Sequence, residues 1–99
     1  PLAVRNQDAD IPLSTNLTQN YPNPFNPTTN IKFQIKDYEW VTLKIYDVTG
    51  KEVLKITDAF MSAGTYSYQW NATGFASGIY FYKLVSGEYT EVKKMILIK

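Results

Sequence analysis

The sequence predicts an all-β fold, an antiparallel β-sandwich of immunoglobulin-like size. Three observations carry that reading. From Thr28 onward, apolar residues alternate with polar ones in segment after segment, the period of two that half-buried strands show. Turn residues punctuate those segments at short intervals, and no stretch of ten residues keeps a helical period. The chain has 99 residues, room for one domain. Six strand-like segments within roughly 70 residues then require two layers closed over one core.

Residues 1–19, PLAVRNQDADIPLSTNLTQ, mix small, polar and acidic residues with two prolines and keep no period. That is how a linker or a loosely docked leader reads, and the globular unit is expected over residues 20–99. It opens on NYPNPFNPTT, residues 20–29, which packs three prolines into six residues. Each proline fixes φ and removes an N–H, and each residue before one is pushed toward the extended region. The segment is therefore expected to be a stiff, polyproline-like ribbon. It suits a sheet edge because it offers few donors, with Tyr21 and Phe25 as its anchors into the sandwich.

Ile31, Phe33 and Ile35 form the apolar face of the first long strand, and Val41, Leu43 and Ile45 that of the second. Asp47-Val48-Thr49-Gly50-Lys51 joins this strand to EVLKI as a hairpin, with Gly50 at the position that requires positive φ. After a bend at Gly64, Tyr66, Tyr68 and Trp70 share one face of the next strand. IYFYKLV, residues 79–85, is apolar on both faces, as a strand in the middle of a sheet or sandwich is. Ser86-Gly87 turns it into EYTEVKKMILIK, whose MILI run is also expected to be buried on both sides.

Composition narrows function by exclusion. No Cys removes disulfides, thiolate ligands and cysteine nucleophiles, and no His removes the usual general base and the commonest transition-metal ligand. A net charge of +1 without charge blocks gives no case for nucleic acid. No run of about 18 apolar residues spans a membrane as a helix. The nine carboxylates fall mostly at turns or on solvent-facing strand positions, and Asp8-Ala9-Asp10 alone falls short of the six or more oxygens that calcium needs. The reading is of a non-enzyme with no cofactor and no metal.

Two features could bind rather than react. Tyr66, Tyr68, Trp70, Tyr80 and Tyr82 would suit a carbohydrate-binding surface if exposed, but at spacing two they read as cross-strand core pairs. Trp40, opposite Val41, Leu43 and Ile45, is the better exposed ring. Lys93, Lys94 and Lys99 solubilise a very apolar last strand or serve as part of a recognition tag. The chain begins at Pro1, so a piece of a longer protein is expected, with any signal peptide upstream.

The order NYPNPFNPTTNIKF, VTLKIYDVTGKEV, SAGTYSYQWN, SGIYFYKLVSGEYTEVKKMILIK closely resembles the type A C-terminal sorting domain of proteins exported by the type IX secretion system. The resemblance runs from Leu17 to Lys99. It implies an immunoglobulin-like antiparallel β-sandwich of about seven strands that carries an upstream cargo through the periplasm and outer membrane of a Gram-negative bacterium. Such a domain is recognised by the translocon and commonly removed by a sortase, so its cargo ends secreted or on the cell surface. By position, Tyr21, Pro22, Asn23, Pro24 and Phe25 match the family's opening motif, and Asp47 and Gly50 its hairpin. Gly64 and Tyr66, then Gly78, Tyr80 and Tyr82, match two Gly-x-Tyr elements, and Lys93, Lys94 and Met95 the closing basic-apolar strand. The YPNPF string alone also fits a related immunoglobulin-like module of flagellar hook-capping proteins, and the KKMILIK ending favours the sorting domain. The cut is expected within residues 1–19. An edge left by incomplete closure could pair with another copy, and an accessory carbohydrate-binding sandwich of a polysaccharide-degrading enzyme is the alternative function.

Overall fold

The computed structural model describes residues 3–5 and 12–99, so Asp8-Ala9-Asp10 lies outside the described residues. Eight strands occur among the described residues: β1 (Ala3–Arg5), β2 (Asn16–Leu17), β3 (Thr28–Ile35), β4 (Glu39–Asp47), β5 (Glu52–Met61), β6 (Gly64–Asn71), β7 (Gly78–Ser86) and β8 (Tyr89–Leu97). They form two four-stranded sheets, in the orders β1-β6-β3-β2 and β5-β4-β7-β8. Every pairing within the sheets is antiparallel.

The alternation read from the sequence decides which side of each strand is inside. Ile31, Phe33 and Ile35 of β3, and Tyr66 and Trp70 of β6, face Val41, Leu43 and Ile45 of β4, with Tyr80, Tyr82 and Leu84 of β7 and Met95 and Leu97 of β8, in one buried cluster. In a domain this small, large aromatic side chains supply much of the apolar area removed from water.

The β4–β5 hairpin is closed by Asp47, whose carboxylate accepts the Thr49 main-chain N–H (2.9 Å), the Thr49 hydroxyl (2.6 Å) and the Lys51 N–H (3.0 Å). Gly50 follows at φ 90°, a conformation glycine adopts without steric cost. Two register shifts along β4–β5 twist the exposed edge strand β5, a common device against edge-to-edge pairing.

Three expectations are corrected. Residues 1–19 are more than a loose leader: β1 pairs with β6, β2 pairs with β3, and Leu17 is buried in the core. The proline-rich segment bends at residues 22–24 and 26–27 instead of running as an extended ribbon. It has to bend, because Tyr21 bridges to Asn30 in one sheet and Phe25, four residues on, to Leu97 in the other. Finally, β7 and β8 each bury one face. Ile79, Val92 and Ile98 are exposed, because among the described residues no third layer covers the outside of the second sheet.

Candidate recognition surface

The opening string and the closing strand, at opposite ends of the domain sequence, form a single surface. In the tight β7–β8 hairpin the odd-numbered residues of β8 point their main-chain groups at β7, leaving those of the even-numbered residues on the free edge. The segment around Phe25 takes up one half of that edge. Phe25 N–H donates to Ile96 C=O (3.0 Å), Ile98 N–H donates to Phe25 C=O (2.9 Å), and Ile96 N–H donates to the Asn23 side-chain oxygen (3.0 Å). The Gln19 side-chain amide adds a bond to Lys94 C=O (2.8 Å). We call residues 19–27 the strap; Pro22, Pro24 and Pro27 leave it few donors of its own.

A buried polar network roots the strap. Tyr82, with no exposed surface, accepts Asn20 N–H (2.7 Å) through its phenol oxygen and donates to Thr18 C=O (2.8 Å). Asn20 and Thr29, both buried, bond to each other (2.9 Å), and the Thr29 hydroxyl donates to Pro22 C=O (2.8 Å). Burial pushes the Tyr82 phenol up to about 12, the Asn20 N–H opposing that rise. The Phe25 ring packs on Trp70, at 5.6 Å between centroids, and Trp70 packs in turn on Phe75 (5.2 Å) and Tyr80 (5.6 Å).

The two Gly-x-Tyr elements are one device used twice. Tyr66 donates its phenol hydrogen to Ser62 C=O (2.7 Å) and Tyr80 to Ala76 C=O (2.6 Å), each four residues back. Each bond ties a strand to the loop before it, as in the tyrosine corner of β-sandwiches. Gly78, at φ 147°, sets the second strand's direction. Burial raises both phenols above their ordinary value, and for Tyr80 the nearby Asp47 charge adds to it.

The motif residues thus divide by location. Phe25, Gly64, Tyr66, Tyr80, Tyr82 and Met95 are buried; Asp47, Gly78 and Lys93 are half-buried; Tyr21, Pro22, Asn23, Pro24, Gly50 and Lys94 are exposed. Tyr21, expected as an anchor, holds by its main chain: it exchanges bonds with Asn30 (3.0 and 2.9 Å) while the residue is 78% exposed. Lys93 pairs with Glu91 (3.1 Å), which also accepts a hydrogen bond from Tyr89. Those bonds, Tyr89 first and then Lys93, hold the Glu91 carboxyl below its ordinary value. Sequence reasoning missed Gln19, Asn20 and Thr29; three amide or hydroxyl side chains flanking a Tyr-Pro are the signal that could have found them.

Burial in the core withdraws Tyr66, Trp70, Tyr80 and Tyr82 from any sugar-stacking platform. Trp40 remains exposed beside Tyr38 and Phe60. Tyr38 and Phe60 stack at 5.1 Å, Trp40 meets Phe60 edge-on at 5.0 Å, and the Trp40 indole N–H donates to Asp58 (2.8 Å).

Comparison with known proteins agrees with this architecture. No curated protein matches the chain. Among solved structures, PorZ of Porphyromonas gingivalis, described as an essential bacterial surface component of the type-IX secretion system, is similar at TM-score 0.58 and 22% identity. The likeness covers 82% of this chain and 11% of PorZ, so the chain spans about a tenth of that protein. The family model described as secretion system C-terminal sorting domain matches residues 19–99, from the first residue of the strap to the end of the sequence, and the chain belongs to that family.

Proposed function

We propose that this domain is the C-terminal address of a longer exported protein, read by the translocon of a type IX secretion system in the outer membrane. A surface sortase then separates it from its cargo, which is released or held at the cell surface. The cut falls before Asn16, since residues 16–19 are held by β3, Tyr82 and β8. The domain acts as a label and not as a catalyst. Family membership supports the pathway. The observation that carries the reading is the joining of the opening motif to the last strand, which lets one partner test both ends of the signal at once. Of the motif residues, Tyr21, Pro22, Pro24 and Lys94 present side chains there for such a partner to touch, while the buried ones build the platform.

A passenger fused upstream of the chain, in a host carrying the secretion machinery, tests this. The intact domain is expected to bring it to the surface, and removal of Glu91 to Lys99 to keep it inside. Tyr21→Ala, which removes an exposed ring and no buried contact, is expected to lower export while leaving the unfolding midpoint unchanged. Undiminished export after the deletion would overturn the reading.

The exposed Tyr38, Trp40 and Phe60 cluster favours a second role, carbohydrate binding by the outer face of the second sheet. Retention on polysaccharide gels that Trp40→Ala abolishes is the result it requires.

A further inference from the structure

The strap covers only half of the β8 edge. Ile96 N–H and C=O, Ile98 N–H and Lys94 C=O are all taken. By the register of the hairpin, Thr90 and Val92 N–H and C=O, with Lys94 N–H, also point to the free edge. Among the described residues no hydrogen bond reaches them from that side. Thr90 is exposed and Val92 is 52% exposed. The open run lies between the Gly87-Glu88 turn at one end and the Gln19 bond to Lys94 at the other.

We propose that this uncovered run, Thr90 to Lys94, is a strand-addition site for an extended segment of a partner polypeptide. Donors and acceptors at strand spacing are matched best by another strand, and backbone pairing of this kind supplies affinity while neighbouring side chains supply choice. The outer face beside the site carries Val92 flanked by Lys83, its register partner on β7, and by Lys94. None of the ion pairs among the described residues involves Lys83 or Lys94. The fitting segment therefore places an apolar side chain beside Val92 and a carboxylate beside Lys94.

A second copy of this chain fits poorly. Antiparallel self-pairing centred on Val92 would set residue 88 of each copy against residue 96 of the other, where the strap already lies. A segment without its own turn at that point has no such conflict. The inference rests on the proposed reading as a secretion address and names where on the address one contact is made.

Val92→Pro tests it. The Val92 N–H faces the free edge, so the ring removes no ladder bond to β7 but takes away an edge donor and blocks the approach of a strand. In the passenger assay, losing one hydrogen bond and meeting a steric block is expected to lower surface display about tenfold. Val92→Thr, which keeps the N–H and the branched shape but weakens the apolar contact, is expected to lower export less than Val92→Pro does. Lys94→Glu, at an exposed side chain, is expected to lower export without changing the unfolding midpoint, and it decides the matter if the proline variant does not fold. Normal export by a folded Val92→Pro variant, or by Lys94→Glu where that variant does not fold, would overturn the strand-addition site while leaving the secretion address standing. Failure of the intact domain to export would remove the address itself. Concentration-dependent dimers of the isolated chain that Val92→Pro abolishes would assign the edge to self-pairing and also overturn the proposal.

Discussion

Tyr82 is the side chain on which the two ends of the domain meet. Its phenol oxygen serves both the buried Asn20 N–H and the partly buried Thr18 C=O, so Tyr82→Phe leaves a buried donor and a partly buried acceptor without that partner while keeping the ring. The expected loss of stability is about 1–3 kcal/mol, read as a lowered denaturant midpoint with unchanged slope. Gly78 offers a contrasting test. A Cβ there would meet no atom within 4 Å, so Gly78→Ala isolates the cost of φ 147° for a side-chain-bearing residue, about 1–3 kcal/mol. An alanine variant as stable as the parent would show that the position tolerates an ordinary backbone. The Gly-x-Tyr strings were legible as motifs, but the bond from each phenol to a carbonyl four residues back was not. Alternation tells which face a ring lies on and says nothing about where its hydroxyl points.

The strap works as an element because its few donors and acceptors are divided between the β8 edge it covers, through Gln19, Asn23 and Phe25, and the sandwich behind it, where Asn20 bonds Tyr82 and Tyr21 bonds Asn30. Asn23→Ala removes the acceptor for Ile96 N–H at an exposed position, where water substitutes, so stability falls by only about 0.5–1 kcal/mol. Exchange of the Ile96 amide with solvent is expected to accelerate strongly, while the amides of β4 and β7 keep their protection. Equal acceleration throughout would mean that the strap is a global staple and not a local cover. That a donor-poor segment lines a sheet edge was readable from the prolines, and the same reading made anchors of Phe25, which is buried, and of Tyr21, which is exposed. The bend was not readable, since it follows from the distance between two sheets that the segment must bridge. Nor were β1 and β2 readable: three and two residues are too short for any period to appear, and their strand character comes from the partners they find in β6 and β3.

For the whole molecule, tyrosines link stability to pH on the alkaline side. Burial first, with Tyr82 also feeling Glu91 and Tyr89 bonded to it, pushes both phenols up to about 12 from an ordinary 10.0. Tyr66 and Tyr80 are raised as well. A raised phenol favours the neutral, protonated form in the folded state, so between pH 10 and about 12 the unfolded chain binds fewer protons than the folded one. Stability is then full below pH 10 and declines as pH rises through that window. Thermal midpoints are expected to hold level to about pH 10 and then drop, with tyrosinate absorbance lagging behind that of the unfolded chain. The acid side carries the opposite sign. Asp47 and Glu91 are held below their ordinary values by hydrogen bonds from Thr49 and from Tyr89, so their contributions fade as pH falls through the carboxylate range. Tyr82→Phe separates the strap's share of the alkaline effect from the rest. It is expected to lower stability at neutral pH yet flatten the alkaline decline, because the group that the high pH ionises is gone. A variant that loses stability at neutral pH and declines as steeply as the parent would show that the Tyr82 phenol titrates alike in the folded and unfolded chains, leaving Tyr89 and the two tyrosine corners to set the alkaline limit.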